Sequence, residues 1–238
     1  MKKLILLFAV AFNLNSNEFL TGSLVDYSGL IKMPNARFNN EGKVSFNYSR
    51  YDPYGKYVFQ FSPYDWFEGA LFYTDINSLG YPDFERGPGG MQSQKDKGFS
   101  LKARLFKEGE CYGLDYAFCE YLPNIAVGLV DFAGTSLTAS EYVVASKSFG
   151  RFDLTAGLGW GALGSTDNIG GNPLSILTDK FDQRGSGYSL GLMGGVPGVS
   201  TWFRGTTSVF GGVEYVIPKA RFYPVNSCLL YTSPSPRD

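Results

Sequence analysis

The sequence predicts an all-β protein, an antiparallel outer-membrane-type β-barrel that is truncated and unclosed, with about eight strands present. Three observations favour this fold class. Glycine accounts for 30 of the 238 residues, and tyrosine and phenylalanine add 16 and 20, a composition typical of strands and tight turns. Apolar residues recur at every second position in several segments of strand length. The N-terminus has the form of an export signal.

The first sixteen residues are predicted to be a signal peptide. Two lysines precede an apolar run, Leu4–Phe12, and short polar residues follow it. This run is too short for a membrane-spanning helix, and no later apolar stretch reaches 18 residues. We expect cleavage after Ser16, with a site at Ala9–Ala11 as the alternative, and the first part of a β-barrel over residues 17–227. No cysteine follows the run, so no bacterial lipid anchor is expected.

Four two-faced strands are predicted in the first half of the chain. In Lys43–Tyr51 the apolar residues Val44, Phe46 and Tyr48 alternate with serine and asparagine, which places the two sets on opposite faces. The same alternation continues in three further segments, separated by turn residues: KYVFQFS, WFEGALFYTDIN and GFSLKARLF.

Four more strands are predicted in the second half: NIAVGLVDF, SEYVVASKSF, FDLTAGLGWGAL and TSVFGGVEYVI. Three of them carry one apolar face and one face of small or polar residues. Several are 9 to 11 residues long, which is about the length that a tilted strand needs to cross a bilayer. We expect this face pattern to separate lipid from a wet barrel lumen. The alternative is a soluble periplasmic β-sandwich that binds carbohydrate, with its apolar faces packed together.

Aromatic residues favour the barrel over the sandwich. They are concentrated at or near the predicted strand ends, where membrane proteins place their aromatic girdles. The residues are Tyr51, Tyr54, Tyr57, Tyr64, Trp66, Phe67 and Tyr73.

The composition narrows the possible functions. Histidine is absent, which removes the commonest general base and the commonest metal ligand. We therefore predict no enzyme activity, no metal and no cofactor. Lys and Arg number 21 against 22 Asp and Glu, and no basic patch forms, so nucleic acid is not an expected partner.

In an exported protein, Cys111 and Cys119 are predicted to form a disulfide, with two free thiols as the alternative.

A few polar residues on the predicted lumen face are candidate contacts for a glycan. They are Asn47, Lys102, Arg104 and Asp153. Charges of both signs in a lumen can bind a polar or acidic glycan. The alternative interpretation is that these charges only pair with one another across the interior.

Several motifs together resemble the YjbH family. They run in order from Gly29 to Pro218 and include GLIKMPNARF, DKGFSLKARLFKE, DFAGTSLTASEYVVASKSF and GLGWGALG. The resemblance implies a Gram-negative outer-membrane β-barrel linked to exopolysaccharide or capsule production and secretion. It also implies the polysaccharide, outer-membrane lipid and periplasmic export components as partners, and it supplies no catalytic residues. Family members are longer than this chain, and residues Gly109–Glu120 form an insertion relative to them.

The last eleven residues interrupt the pattern. CLLYTSPSPRD, Cys228–Asp238, resembles the translation of an adapter used in preparing sequencing libraries. We therefore expect residues 228–238 to be a read-through artefact and the barrel segment to continue beyond residue 227 in the intact protein.

Overall fold

The computed structural model describes residues 28–80, 93–110, 112–113, 119–134, 138–185, 198–216 and 226–231. Within these ranges strands are the main secondary structure, and four short 3₁₀ helices, Ala162–Gly164, Pro173–Ile176, Asp179–Phe181 and Val199–Thr201, lie between β9 and β10. The strands are β1 (Gly29–Leu30), β2 (Met33–Pro34), β3 (Lys43–Tyr51), β4 (Tyr54–Tyr64), β5 (Phe67–Gly80), β6 (Ser93–Phe106), β7 (Asn124–Val130), β8 (Ser140–Phe149), β9 (Phe152–Gly161), β10 (Thr207–Val216) and β11 (Asn226–Tyr231). In the described part of the chain, no helix is long and apolar enough to span a membrane.

Strands β3 to β11 form one antiparallel sheet in which every strand pairs with its neighbours in the sequence. Two-residue turns join β3 to β4 and β8 to β9, where Tyr51 pairs with Tyr54 and Phe149 with Phe152. Across the described residues, β3 and β11 lie at opposite edges of the sheet and do not pair with each other. The predicted all-β, antiparallel and unclosed sheet is therefore confirmed.

The two faces of this sheet have opposite character. The inner face, defined by the side chains in register with Glu68 and Lys102, buries polar and charged groups; examples are Lys56, Gln60, Asp96, Ser100, Asn124, Ser146, Asp153 and Glu214. The outer face exposes apolar side chains; examples are Val44, Phe46, Phe59, Leu71, Phe99, Leu154 and Val209. A sheet of a water-soluble protein normally buries its apolar face instead.

The chain itself covers part of the inner face. Residues 28–39, here called the N-terminal segment, contain the short β1–β2 hairpin. Their apolar side chains form one buried cluster with side chains from β7, β8 and β10. The members are Leu30, Met33, Ala36, Phe38, Ala126, Val130, Tyr142, Val144 and Phe210. The main apolar core therefore lies between the N-terminal segment and the sheet, and the described residues form no second large sheet as a β-sandwich would require.

Strand glycines make room for aromatic rings on the neighbouring strand. A Cβ atom at Gly128 would lie 2.2 Å from Cζ of Tyr142, its direct cross-strand partner. Three other pairs are arranged in the same way: Phe61 with Gly69, Phe72 with Gly98, and Phe210 with Gly157. The high glycine content of the strands thus serves side-chain packing.

Several strand boundaries differ from the predicted ones. β6 begins at Ser93, before the predicted GFSLKARLF segment, because it pairs along most of the long β5. β11 pairs with β10 up to Tyr231, so it crosses the predicted boundary at residue 228. The predicted signal peptide, residues 1–16, and residues 232–238 lie outside the described part of the chain.

Candidate functional site on the inner face

A buried ion pair joins β5 to β6 on the inner face. Glu68 and Lys102 are cross-strand partners, each side chain is only 1% exposed, and Lys102 Nζ lies 3.3 Å from Glu68 Oε2. Lys102 Nζ also donates to the carbonyl oxygens of Ser28, at 3.2 Å, and Arg37. Lys102 Nζ lies 4.4 Å from the centroid of the Phe38 ring. The ammonium group is thereby shared between the sheet and the N-terminal segment.

Glu68 holds the same segment through its other oxygen. Glu68 Oε1 accepts hydrogen bonds from the Asn39 backbone N–H at 2.6 Å, Asn39 Nδ2 at 2.9 Å and Ser28 Oγ at 3.0 Å. Removing both charges of an ion pair from water is costly unless further hydrogen bonds satisfy them. Here the N-terminal segment supplies those bonds.

A second charged cluster centres on Arg37 of the N-terminal segment. Its guanidinium forms two hydrogen bonds with the Asp153 carboxylate, and its Nη1 atom lies 2.7 Å from Glu108 Oε2. The other oxygen, Glu108 Oε1, accepts from Ser148 Oγ at 2.9 Å and lies 3.1 Å from Lys147 Nζ. One arginine therefore joins the N-terminal segment to β9 and to the loop after β6.

These contacts shift the pKa values of Arg37 and Glu108, the two members of the cluster that lie outside the strands. Burial disfavours the charged Arg37 guanidinium, but the hydrogen bonds and charges of Asp153 and Glu108 outweigh it and raise the pKa of Arg37. Burial likewise disfavours the Glu108 carboxylate, but hydrogen bonds from Arg37 and Ser148 outweigh it and lower the pKa of Glu108 below its ordinary value of 4.5. Both groups are held in their charged forms.

The four predicted glycan contacts lie on the inner face, and the N-terminal segment links three of them: Phe38 lies against Lys102 and Arg104, and Arg37 forms hydrogen bonds with both Lys102 and Asp153. Lys102 and Asp153 contact the N-terminal segment as described. The guanidinium carbon of Arg104 lies 4.5 Å from the centroid of the Phe38 ring, and Arg104 Nη1 lies 3.5 Å from Asp65 Oδ2. Asn47 is half-buried on β3, opposite Val58 of β4. In this arrangement the predicted charges pair within the protein, and contact with a glycan stays a prediction.

Sequence reasoning missed three members of these clusters, Arg37, Glu68 and Glu108. Glu68 carries a usable signal, because it shares the inner-face parity of Ala70 and Phe72 on β5 and is the cross-strand partner of Lys102. Arg37 and Glu108 lie outside the sheet, where alternation gives no information. Their contacts depend on a chain path that a strand pattern cannot indicate.

One residue of the predicted disulfide lies outside the described part of the chain. Cys119 is disulfide-bonded, whereas Cys111 lies outside the described residues. Their pairing therefore stays a prediction. Among the residues that the structure describes, no group of three or more His, Cys, Asp or Glu side chains could hold a metal ion.

The described residues of the connection between β9 and β10, 162–185 and 198–206, are here called the capping loop. Its first residues contact the inner face, where Leu163 packs against the core and Thr166 forms a hydrogen bond with Ser208, and its later residues cover the outer face at the same end of the sheet. Arg184 forms a two-pronged ion pair with Glu141, at 2.6 and 2.9 Å. Asn172 Oδ1 accepts from Trp160 Nε1 at 3.1 Å, and Asn172 Nδ2 donates to the Phe203 carbonyl oxygen at 2.9 Å. Glu141 and Trp160 are consequently buried although they belong to the outer face.

Aromatic side chains form two groups on the outer face of β3, β4 and β5. Tyr57 contacts both Tyr48 and Tyr73, with ring centroids 4.7 and 6.3 Å apart. Seven residues further along β4, Tyr64 stacks on Trp66 with centroids 5.6 Å apart. At about 3.3 Å per residue the two groups are about 23 Å apart along the strand. At the tilt of about 35–45° that outer-membrane strands have, this separation corresponds to a height of about 16–19 Å, which lies within the apolar band of about 25 Å.

Comparisons with known proteins agree with the sequence resemblance. A family model described as "Exopolysaccharide biosynthesis protein YbjH", for the YjbH family, matches residues 23–224. The "Uncharacterized lipoprotein YjbH" of Escherichia coli (strain K12) is 42% identical over 190 residues, which cover 80% of this chain and 25% of that relative. This chain thus spans about a quarter of the curated relative, and no solved structure matches it. The chain belongs to the YjbH family of exopolysaccharide biosynthesis proteins.

Proposed function

We propose that this chain is part of an outer-membrane β-barrel that assists the secretion or assembly of an exopolysaccharide or capsule without catalysing a reaction. Its partners in this proposal are outer-membrane lipid, the polysaccharide and periplasmic export components. The relative's printed description as a lipoprotein is compatible with a place in the cell envelope. The membership of an exopolysaccharide biosynthesis family supports the link to a surface glycan.

One observation carries the membrane part of the proposal: the sheet exposes its apolar face and buries its polar face. Phe46 is 65% exposed, while Lys102 and Glu68 are almost completely buried. Contiguous exposed apolar surface of this kind marks an interaction with lipid or with another protein. The two aromatic groups on the outer face favour lipid. In a soluble β-sandwich these same side chains would be covered by a second sheet.

The polar inner face is the part of the molecule suited to a glycan. Asn47, Lys102, Arg104 and Asp153 stay our candidates for contact with it, and the N-terminal segment currently occupies the charges of Lys102 and Asp153. A glycan that used these charges would have to replace the bonds of the N-terminal segment. This requirement favours Asn47 on β3 as the first residue to test.

Replacing an outer-face aromatic residue by lysine tests the membrane proposal. For Phe59→Lys, made in the protein expressed from its complete gene, lipid predicts a penalty of about 2–4 kcal/mol near the bilayer midplane. We expect a clear loss of urea-resistant protein from the outer-membrane fraction. Tyr121→Lys is the matched control, because Tyr121 is strongly exposed in the loop after β6. If Phe59→Lys and Tyr121→Lys leave equal amounts of membrane protein, the outer face does not contact lipid.

Deletion of the complete gene tests the link to the glycan. We expect less surface polysaccharide, measured as released hexose or uronic acid, and restoration by the wild-type gene. The parent strain must express the gene under the conditions used. If its deletion strain then carries the same amount of surface polysaccharide, the secretion role is rejected, while the membrane placement is not affected.

A further inference from the structure

The capping loop presents two adjacent aliphatic side chains that nothing in the described structure covers. Ile176 is 90% exposed and Leu177 is 76% exposed. Ile176 ends the short 3₁₀ helix Pro173–Ile176. A single exposed aliphatic residue needs no explanation. This pair is informative because it lies near a part of the loop that contacts the apolar outer face.

The part of the capping loop around Asn172 attaches to the outer face at one end of the sheet. Asn172, which caps the helix by accepting a hydrogen bond from the Leu174 N–H, also binds Trp160 of the outer face. At about 2 Å of rise per residue in a 3₁₀ helix, Ile176 lies within about 8 Å of Asn172. The aliphatic pair is therefore close to the residue that binds Trp160 of the outer face.

We propose that Ile176 and Leu177 insert into the boundary between lipid headgroups and acyl chains and so anchor the capping loop to the bilayer. This inference rests on the proposed function, because it requires the outer face to contact lipid. The next residues, Thr178, Asp179 and Lys180, are exposed and polar, as suits the headgroup layer. They carry one charge of each sign, so the insertion depends on apolar burial and needs no anionic lipid.

Photolabelling from the lipid tests this anchor. The protein from the complete gene is reconstituted in phosphatidylcholine vesicles containing a phosphatidylcholine with an aryl diazirine near its acyl carbonyl. After irradiation, peptide mass spectrometry locates the adducts. We expect adducts at Ile176 and Leu177 and on the peptide containing Phe59, which reports on the outer face itself. The double variant Ile176→Ser with Leu177→Ser should reduce capping-loop adducts by about tenfold or more, since each buried aliphatic side chain contributes more than that factor to partitioning.

The outcomes separate the anchor from the proposed function. Adducts on the Phe59 peptide without adducts on the capping loop would overturn the anchor and leave the membrane proposal standing. Adducts on neither peptide would overturn both. Capping-loop adducts that persist in the double serine variant would also overturn the anchor, because lipid would then approach the loop without these two side chains. If Ile176 and Leu177 contact a glycan or a protein instead of lipid, we expect adducts on the Phe59 peptide and none on the capping loop.

Discussion

The buried charged residues of the inner face are stabilised by opposite charges, backbone carbonyl groups and an aromatic ring. Lys102 contacts Glu68, two backbone carbonyl groups and the Phe38 ring, and Arg37 holds two carboxylates. A buried charge that loses its partner is destabilising by several kcal/mol, whereas an exposed pair contributes little. The contacts of single residues therefore determine how firmly the N-terminal segment is held.

Substitution of the buried lysine should be far more harmful than substitution of an exposed one. Lys102→Met leaves Glu68 and two carbonyl oxygens without their cation, and we expect a loss of about 3–5 kcal/mol in the free energy of unfolding. Lys95→Met, which removes an ion pair with Asp75 that is partly open to solvent, should cost less than about 1 kcal/mol. Urea unfolding in detergent micelles measures both. Equal losses would contradict the burial of the Lys102 pair.

The carboxylate of Glu108 should make stability depend on pH in the acid range. Its pKa is lower in the folded protein than its ordinary value of 4.5, so its stabilising contribution is complete above that pH. The contribution is lost as the pH falls from 4.5 towards and through the folded pKa. We expect Glu108→Gln to lower the free energy of unfolding by about 1–2 kcal/mol at neutral pH. The difference from the wild type should shrink below about pH 4.5.

Urea unfolding between about pH 7 and pH 3 measures this difference. Glu110→Gln is a suitable control, because Glu110 pairs with Lys107 at an exposed site, where water weakens the interaction. A difference between wild type and Glu108→Gln that stays constant over the whole range would show that the Glu108 charge is not involved.

At the scale of strands, adjacent elements fit together because glycine and aromatic residues face each other across strand pairs. The pairs Phe72–Gly98, Tyr142–Gly128 and Phe210–Gly157 lie on the inner face. A ring that lies over a glycine fills the space that a side chain would otherwise occupy and covers the backbone. This arrangement also fixes the register, since a shift by one residue would place the ring against a larger side chain.

A single methyl group at one of these glycines should disturb the packing. In Gly128→Ala the new Cβ atom would overlap the Tyr142 ring, and we expect a loss of about 1–3 kcal/mol in the free energy of unfolding. Gly185→Ala is the matched control, because a Cβ atom there meets nothing within 4 Å. The control should stay within about 0.5 kcal/mol of the wild type. Equal stability of the two variants would reject the packing role of Gly128.

Strands could be predicted from the sequence because alternation indicates which side chains share a face. All eight predicted strands of the main sheet are present, from β3 to β10. Alternation says nothing about what covers a face, so the N-terminal segment and the capping loop were missed. Alternation also cannot distinguish a charged side chain that is available to a ligand from one that forms an ion pair within the protein. Lys102 and Asp153 belong to the second kind in this structure.

At the scale of the whole molecule, the sheet has two open edges. β3 and β11 each lack a partner strand on one side in the described part of the chain. Open edges are not tolerated in the hydrocarbon region of a bilayer, because unpaired backbone groups there cost several kcal/mol each. Additional strands are therefore required for a membrane-inserted form.

Expression of residues 1–227 alone, with the predicted signal peptide retained for export, should consequently fail to give an assembled membrane protein. We expect this fragment to be sensitive to protease and to be extracted from the outer-membrane fraction by urea. The product of the complete gene should resist both treatments. Equal resistance of the fragment would mean that its edges are closed in some other way, for example by a second copy of the same fragment.

The position of the N-terminal segment has a consequence for the order of folding. Arg37 is bound by Asp153, which follows it by 116 residues, and Phe38 packs in the same cluster as Phe210. The N-terminal segment is exported early, but it can form these contacts only after β9 and β10 have also been exported. Contacts between such distant parts of a chain form slowly, so the earliest exported residues are among the last to reach their native place.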